Sequence, residues 1–226
     1  MAVKKPEKFE AAREFFAQHP LGAGSLVVEI GGTAATDAMI REAVGECELI
    51  KLNIERSHLG GGQNNIVGDG NRMPIKEDSI DAVVCFDVIE HIIEPDYLVS
   101  EANRVLRKGG LFVIATVNLA NIYNRVLLLC GFSPLTYSPA GYKVGLPFPA
   151  VKSDLGHKSV FTFKALRDLL AIYKFEIVKS AGYCYYEPSY TGYERNEVGF
   201  FRLRTALNKM LPKEMREGMI FFSKKA

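Results

Sequence analysis

Short apolar runs and helix-like stretches alternate along the first half of the chain. The runs end in loop residues at SLVVEIGG, ELIKLNI, NIVGDG, IDAVVCFD and GLFVIATVN. Helix-like stretches at Thr36 to Val44 and Pro95 to Leu106 lie between some of them. Continuously apolar strands separated by helices are typical of a parallel sheet covered on both faces. The pattern therefore predicts a doubly wound α/β fold.

The remaining segments predict further elements. Phe9, Ala12, Phe15 and Phe16 recur at helical spacing, so we expect an N-terminal helix within residues 1–20. TFKALRDLLAIYKF has one apolar helical face, and FEIVKSA and GMIFFSKKA are typical of strands. RVLRKGG places basic residues in a last helical turn before two glycines, which predicts a helix end capped at Gly109 and Gly110.

Composition favours one globular domain over residues 1–226. Of 226 residues, 48% are hydrophobic, which allows a sizeable core. The net charge of +2 is spread over 28 basic and 26 acidic residues, so we expect no nucleic-acid partner. The four cysteines lack metal-ligand spacing, which predicts no metal site and free thiols in the reducing cytoplasm. The N-terminus has no signal peptide pattern, and polar residues interrupt Leu111 to Phe132, so we expect no transmembrane segment.

Three blocks of the sequence resemble the class I S-adenosylmethionine-dependent methyltransferases. They are VVEIGG, GDGNRMPIKEDSIDAVVCFDVIEHIIEPDYLVSEANRVLRKGGLFVIATVN and GHKSVFTFKALRDLLAIYKFEIV, and they cover roughly Leu26 to Val178. Within the family, the chain is most similar to the small-molecule branch of ubiquinone and menaquinone biosynthesis enzymes. The resemblance implies a seven-stranded, Rossmann-like sheet that is mostly parallel and closed by one antiparallel strand, GMIFFSKKA. It also implies S-adenosylmethionine as cofactor and S-adenosylhomocysteine as product.

The resemblance places the cofactor across the carboxyl ends of the strands, which agrees with the rule for open α/β sheets. It implies that Glu29 serves the loop amides or the cofactor's amino group, that Asp69 and the Gly70 amide meet adenine, and that the region of Phe86 and Asp87 lies near the sulfonium. The cofactor residues that it implies are Glu29, Gly31, Gly32, Thr33, Asn53, Ile54, Glu55, Asp69, Gly70, Asn71, Phe86 and Asp87.

Two positions depart from the family pattern. The second and third loop glycines are replaced by Thr33 and Ala35, which leaves three alternatives: a shifted loop using Gly32, a weaker site, or a site that no longer binds. The acid that grips the ribose hydroxyls is replaced by Asn53, which lacks the charge that strengthens such bonds. Glu55 either takes over this role or is a solvated loop acid.

Acceptor residues are less clearly marked. Candidates are Asn118, Tyr123, Tyr137, Tyr142 and His157, and none is marked as a general base. For His91 in the Glu90-His91 pair, a structural role is favoured over proton transfer. The segments 119–160 and 183–216 are predicted insertions that form a lid on the acceptor side. A tyrosine-rich stretch from Tyr183 to Tyr193 lines an aromatic pocket or covers a sheet edge, and a basic amphipathic helix from about Phe200 to Leu211 packs on the domain or rests on a membrane surface.

The sequence therefore predicts methyl transfer from S-adenosylmethionine to a small or lipid-like acceptor. The alternative is a methyltransferase-like protein that is catalytically weak or inactive and acts as a binding or regulatory module. A nicotinamide-dependent dehydrogenase is disfavoured because GGTAAT is not the G-x-G-x-x-G turn that such enzymes need.

Overall fold

The computed structural model describes residues 6–61, 64–138, 141–152, 156–184 and 206–226. Nine strands are present in these ranges: β1 (Ser25–Ile30), β2 (Cys47–Asn53), β3 (Asn65–Val67), β4 (Ile80–Phe86), β5 (Leu106–Val117), β6 (Tyr142–Lys143), β7 (Val151–Lys152), β8 (Phe175–Tyr183) and β9 (Gly218–Lys225). Seven of them form one sheet in the order β3-β2-β1-β4-β5-β9-β8, and β6 pairs with β7 in a separate hairpin.

The strand directions confirm the predicted fold. Parallel pairing joins β3, β2, β1, β4 and β5. Strand β9 runs antiparallel to both of its neighbours, β5 and β8, as predicted for GMIFFSKKA. The chain builds the sheet outward from β1 to β3 and then returns to place β4 on the other side of β1. This reversal of strand order creates a crevice at the carboxyl ends of β1 and β4.

Helices cover both faces of the sheet. They are α1 (Glu7–Gln18), α2 (Asp37–Val44), α3 (Arg56–Leu59), α4 (Pro95–Val105), α5 (Ile122–Leu129) and α6 (Phe163–Ile172). Two of them begin at side-chain caps: the side-chain oxygen of Asn121 accepts from the Asn124 amide, and that of Thr162 accepts from the Ala165 amide. Pro95 occupies the first turn of α4. N–H groups in the first turn have no partner within the helix, so proline loses no helical hydrogen bond there.

The sheet separates two apolar cores, and β9 contributes to both. Successive residues of a strand point to opposite faces. Phe221 packs near Phe163 of α6, with ring centroids 5.4 Å apart, whereas Phe222 stacks on Phe15 of α1 at 4.4 Å. Both β9 rings are fully buried, so this strand binds the two layers of helices together.

The prediction of a helix end at Gly109 and Gly110 is wrong. Helix α4 ends at Val105, and Leu106 is extended, with φ −68° and ψ 140°. Leu106 is fully buried and pairs with Ile80 of β4, so strand pairing and burial override the basic pattern that suggested a helical turn. Gly109 does adopt a positive φ of 78°, but it lies where the register between β4 and β5 shifts.

Several other predictions fall partly outside the described residues. The tyrosine-rich stretch after Cys184, most of the predicted 183–216 insertion and the start of the basic helix at Phe200 lie there. Among the residues that are described, no helix has the length and apolarity to cross a membrane.

Candidate functional site

The loop after β1 needs both of its glycines. Gly31 has a φ of 74°, and its amide donates to the Leu52 carbonyl at 2.8 Å. A Cβ on Gly31 would lie 2.3 Å from Val88 Cγ2, and one on Gly32 would lie 2.9 Å from Glu29 Oε2. The loop therefore passes between the ends of β1 and β4 with no room for side chains at these positions.

Thr33, at the first departure from the family pattern, is bonded within the loop. The Thr33 amide donates to Thr36 Oγ1 and the Thr36 amide donates to Thr33 Oγ1, both at 3.2 Å. Thr36 Oγ1 in turn donates to Glu29 Oε1 at 2.6 Å. Ala35 is exposed. The two threonines thus satisfy each other's polar groups and anchor the loop to the carboxylate at the end of β1.

Glu29 is a buried carboxylate with one unused oxygen. Its exposed fraction is 4%, and Oε2 has no hydrogen-bond partner. Burial raises the pKa of Glu29 to about 7, against the opposing effects of the Thr36 hydroxyl and the Lys51 ammonium group. Lys51 is also buried; its Nζ donates to the Leu59 carbonyl at 3.0 Å and lies 3.3 Å from Asp37 Oδ1. Glu29 Oε2 can therefore accept a hydrogen bond from a ligand beside the glycine loop.

Asn53 links the end of β2 to the same loop. Its Nδ2 donates to the Gly32 carbonyl at 3.1 Å, and its Oδ1 accepts from the Glu55 amide at 3.0 Å. Ile54 is 71% exposed, and the exposed Glu55 carboxylate lies 3.4 Å from His58 Nε2. Because both ends of the Asn53 amide are bonded to the chain, this residue positions the loop in the structure.

A tight turn follows β3. Asp69 Oδ1 accepts from the Asn71 amide at 2.9 Å, which leaves the other carboxylate oxygen at an exposed position. Gly70 is buried, and an added Cβ would lie 2.9 Å from Ile30 Cγ2, so this turn packs closely against the end of β1. Asn71 Oδ1 is buried without a hydrogen-bond partner.

Helix α1 covers the end of β4. Phe9 of α1 meets Phe86 edge to face, with ring centroids 5.3 Å apart. Lys8 forms an ion pair with Asp87 Oδ2, while Asp87 Oδ1 is buried without a hydrogen-bond partner. Asp87 also has a positive φ of 54°, which is uncommon for a residue with a side chain and frequent at functional sites.

Four buried oxygens without partners lie on residues at or just after the carboxyl ends of β1, β3 and β4. They are Glu29 Oε2, Asn71 Oδ1, Asp87 Oδ1 and Glu90 Oε1. Carboxylate and amide oxygens can accept hydrogen bonds, and leaving a buried polar atom unpaired costs about 1–3 kcal/mol. S-adenosylmethionine carries N–H and O–H donors on its ammonium group, ribose and adenine, so these residues fit such a ligand. The amide of Asn53 is not among these unpartnered atoms, because each of its ends makes one hydrogen bond within the chain.

The acceptor candidates occupy different environments. Asn118 is fully buried: Nδ2 donates to the Glu214 and Arg216 carbonyls at 2.9 and 2.8 Å, and Oδ1 accepts from the Ala120 amide. Tyr123 and Tyr137 are half-buried, and Tyr142 is exposed on the β6–β7 hairpin. Asn118 thus holds the segment before β9 against the end of β5.

His157 is buried and meets His91. Its Nδ1 lies 2.6 Å from the Thr136 carbonyl, and the two imidazole centroids are 5.0 Å apart. Burial lowers the pKa of His157. Glu90, His91 and His157 bring ligand atoms within 4.8 Å of one another, so these three residues could hold a metal ion.

Sequence reasoning missed three features of this site. Lys51 interrupts the apolar run LIKLNI, and that interruption was a signal for a buried charge beside the loop. Thr36 was assigned only to a helix, and its bond to Glu29 depends on how the loop folds back. The pairing of His91 with His157 joins distant parts of the chain and had no signal in the sequence.

Comparison of the sequence with known proteins gives matches that cover part of the chain. The family model described as a methyltransferase domain matches residues 28–114. A probable S-adenosylmethionine-dependent methyltransferase of Mycolicibacterium smegmatis is 45% identical over 51 residues, which are 23% of this chain and 20% of that relative. A ubiquinone biosynthesis O-methyltransferase of Mesorhizobium japonicum is 32% identical over 102 residues, which are 41% of this chain and 40% of that relative. The matched segments thus span well under half of these curated relatives.

Among solved structures, the fold matches over almost the whole chain. A S-adenosylmethionine-dependent methyltransferase from Archaeoglobus fulgidus has a TM-score of 0.59 at 14% identity, covering 96% of this chain and 94% of that one. Part of the chain is thus similar in sequence to a methyltransferase domain and to two methyltransferase relatives, and the solved structure shares its fold.

Proposed function

We propose that the protein transfers the methyl group of S-adenosylmethionine to a small or lipid-like acceptor. The observation that carries this proposal is the set of four unpartnered, buried oxygens on residues at or just after the carboxyl ends of the strands. The glycine loop next to them is fixed by the bonds of Thr33 and Thr36 to each other and to Glu29. The loop is therefore stable with Thr33 in place, which supports the alternative of a reshaped loop that uses Gly32.

The residues that would hold the cofactor come from the ends of β1 and β3. Gly31 and Gly32 allow backbone approach beside β1, Glu29 offers an oxygen to an N–H donor, and the turn at Asp69 to Asn71 offers acceptors for adenine. When bound, S-adenosylmethionine supplies a methyl group already activated as a sulfonium. The contribution of the chain is orientation of donor and acceptor in line, which supplies much of the rate enhancement in such a displacement.

The acceptor would lie beyond the ends of β4 and β5. Tyr123, Tyr137 and His157 are half-buried or buried there and offer aromatic surface together with hydrogen-bonding groups. The segments 119–160 and 183–216 would cover the acceptor as a lid. The relative that is named as a ubiquinone biosynthesis O-methyltransferase supports an oxygen-bearing, lipid-like acceptor. An acceptor of this kind is also consistent with peripheral contact with a membrane.

Cofactor binding can be tested by thermal unfolding with S-adenosylmethionine, S-adenosylhomocysteine and, as a control, NADH. A ligand at one hundred times its dissociation constant stabilises the folded state by about 2.7 kcal/mol. We expect both adenosyl ligands to raise the unfolding temperature and NADH to leave it unchanged. No shift at millimolar S-adenosylmethionine would overturn the proposal and favour a binding or regulatory module.

Turnover needs a second measurement. Transfer of a labelled methyl group from S-adenosylmethionine to a lipid extract and to a water-soluble metabolite extract would identify the acceptor class. We expect label in the lipid fraction, in a product sensitive to the loss of Tyr137. If the protein binds the cofactor but neither fraction is labelled, the binding of S-adenosylmethionine stays supported and methyl transfer is contradicted.

The cysteines support a reducing compartment. Cys47, Cys85 and Cys130 form no disulfide bond in the part of the chain that the structure describes. Unpaired cysteines are typical of proteins kept under reducing conditions, so we propose that the protein acts in the cytoplasm.

A further inference from the structure

Three potential metal ligands meet beside the proposed acceptor site. Glu90 and His91 belong to a 3-10 turn, Ile89–His91, that follows β4. His157 comes from the segment between β7 and α6. One ligand atom of each residue lies within 4.8 Å of the ligand atoms of the other two.

Glu90 presents an oxygen that the described chain leaves without a hydrogen bond. The residue is fully buried, Oε2 accepts from Thr116 Oγ1 at 2.8 Å, and Oε1 has no hydrogen-bond partner. Burying a carboxylate oxygen without a partner is costly in free energy. A cation bound at this point would offset that cost. The backbone carbonyl of Glu90 also accepts from the amides of Lys158 and Ser159 at 2.6 and 3.0 Å. These two bonds hold the His157 segment against the turn.

The bonding of His157 leaves its other ring nitrogen available. A carbonyl oxygen can only accept, so Nδ1, which faces the Thr136 carbonyl at 2.6 Å, carries the ring hydrogen. Nε2 of the neutral ring is then a lone-pair donor. A histidine that donates one ring N–H to a backbone carbonyl and offers the other nitrogen has the usual arrangement of a metal ligand.

The surrounding charge also favours a cation. Asp87 lies three residues before Glu90, and its Oδ1 is buried without a hydrogen-bond partner. Its other oxygen is paired with Lys8 of α1. Asp87 and Glu90 therefore place two carboxylates near one lysine, in addition to the two imidazoles.

We propose that Glu90, His91 and His157 bind a divalent first-row transition metal ion. Two imidazole nitrogens and one carboxylate oxygen suit zinc, cobalt, iron or manganese, whereas magnesium and calcium prefer oxygen ligands. A three-ligand set leaves a coordination position open for water or for another molecule. Resting on the proposed function, this inference gives the open position to an acceptor whose hydroxyl oxygen can complete the coordination.

Titration of metal-free protein with Co²⁺, followed by visible absorption and by calorimetry, tests this site. No cofactor or acceptor is needed. We expect one equivalent to bind to the wild-type protein and to the His58→Gln variant, which removes an exposed histidine elsewhere. His91→Ala, His157→Gln and Glu90→Gln should each weaken binding by at least about 100-fold, since the loss of groups that only orient ligands already costs 10–100-fold.

His91 is exposed, so the His91→Ala variant should keep the wild-type unfolding temperature and remain informative if the buried variants fail to fold. Absence of Co²⁺ absorption in the wild type would overturn the metal site, and so would absorption that His91→Ala leaves unchanged.

The same metal-free protein separates this inference from the proposed function. We expect S-adenosylmethionine to stabilise it whether or not Co²⁺ is present. If the cofactor stabilises the protein but Co²⁺ does not bind, only the proposed metal site is overturned. If Co²⁺ binds but the cofactor does not stabilise the protein, only the proposed function is overturned.

Discussion

At the scale of single residues, Glu29 has two roles in the proposed cofactor site. One of its oxygens accepts from Thr36 in the loop, and the other is buried beside Gly32 with no partner. Lys51 lies close enough to oppose the effect of burial on its pKa. Glu29 is therefore both a support of the loop and a proposed acceptor for a ligand.

The raised pKa of Glu29 predicts a pH dependence of stability. Because the folded pKa is about 7 and the ordinary value 4.5, the folded state binds the proton more tightly than the unfolded state. The resulting contribution to stability is fully present below pH 4.5 and is lost as pH rises through about 7. We expect Glu29→Gln to gain stability relative to the wild type over this window, by on the order of 3 kcal/mol. Urea unfolding at a series of pH values measures the free energy of unfolding of both proteins. If the wild type and Glu29→Gln depend on pH in the same way, the prediction is contradicted.

Gly31 and Gly24 form a matched pair for testing the loop. Both have a positive φ, of 74° and 78°, but only a Cβ on Gly31 would collide with Val88; Gly24 has open space. We expect Gly24→Ala to cost about 1 kcal/mol of stability from backbone strain. Gly31→Ala should cost more stability than Gly24→Ala. It should also weaken the binding of S-adenosylmethionine at least about 10-fold, or 1.4 kcal/mol. Calorimetry of both variants checks this, and equal affinities would show that the loop does not contact the cofactor.

At the scale of elements, α1 is part of the site as well as of the core. Phe9 and Lys8 reach Phe86 and Asp87 at the end of β4. The sequence predicted the helix and its buried face correctly, since Phe9, Ala12, Phe15 and Phe16 are all buried. Its position over β4 depends on packing between distant segments and could not be predicted.

Phe9→Leu and Phe16→Leu test the role of α1 in the site. Both rings are 3% exposed, so each replacement should cost about 1 kcal/mol of stability. Only Phe9 contacts Phe86, so only Phe9→Leu should also raise the dissociation constant for S-adenosylmethionine, by about fivefold, or about 1 kcal/mol. Unfolding curves and calorimetry measure the two quantities. An equal loss of affinity in both variants would assign the effect to general stability.

At the scale of the whole molecule, one strand stabilises two cores. Strand β9 lies between β5 and β8, and its side chains alternate between the two layers of helices. Because both cores share this strand, neither has an independent framework. We therefore propose that the described residues unfold as one cooperative domain.

Phe221→Ala and Phe222→Ala test this cooperativity. Each removes a fully buried ring from one core, at a cost of about 3–5 kcal/mol. We expect both variants to unfold in a single transition at lower denaturant concentration, with far-UV circular dichroism and tyrosine fluorescence coinciding. Two separated transitions in either variant would show that the layers are independent units.

The sequence by itself determined the main apolar strands and the buried faces of two helices, and its motifs resemble one family. Apolar runs of the right length fix strands, helical spacing fixes the faces of α1 and α6, and the blocks of similarity that begin at Val27 indicate the fold. These are local properties, set by which side chains must leave water. Their order along the chain was enough to predict a doubly wound α/β fold, and the family resemblance implied seven strands.

Only the tertiary structure decided how the site is assembled. Leu106 extends a strand because a partner strand and a core are present, although the residues around it favoured a helix. Asn53 is bonded to the Gly32 carbonyl, and His157 lies against His91, because the sheet brings separate loops to one edge. Such contacts depend on distances through space, which the order of residues does not contain.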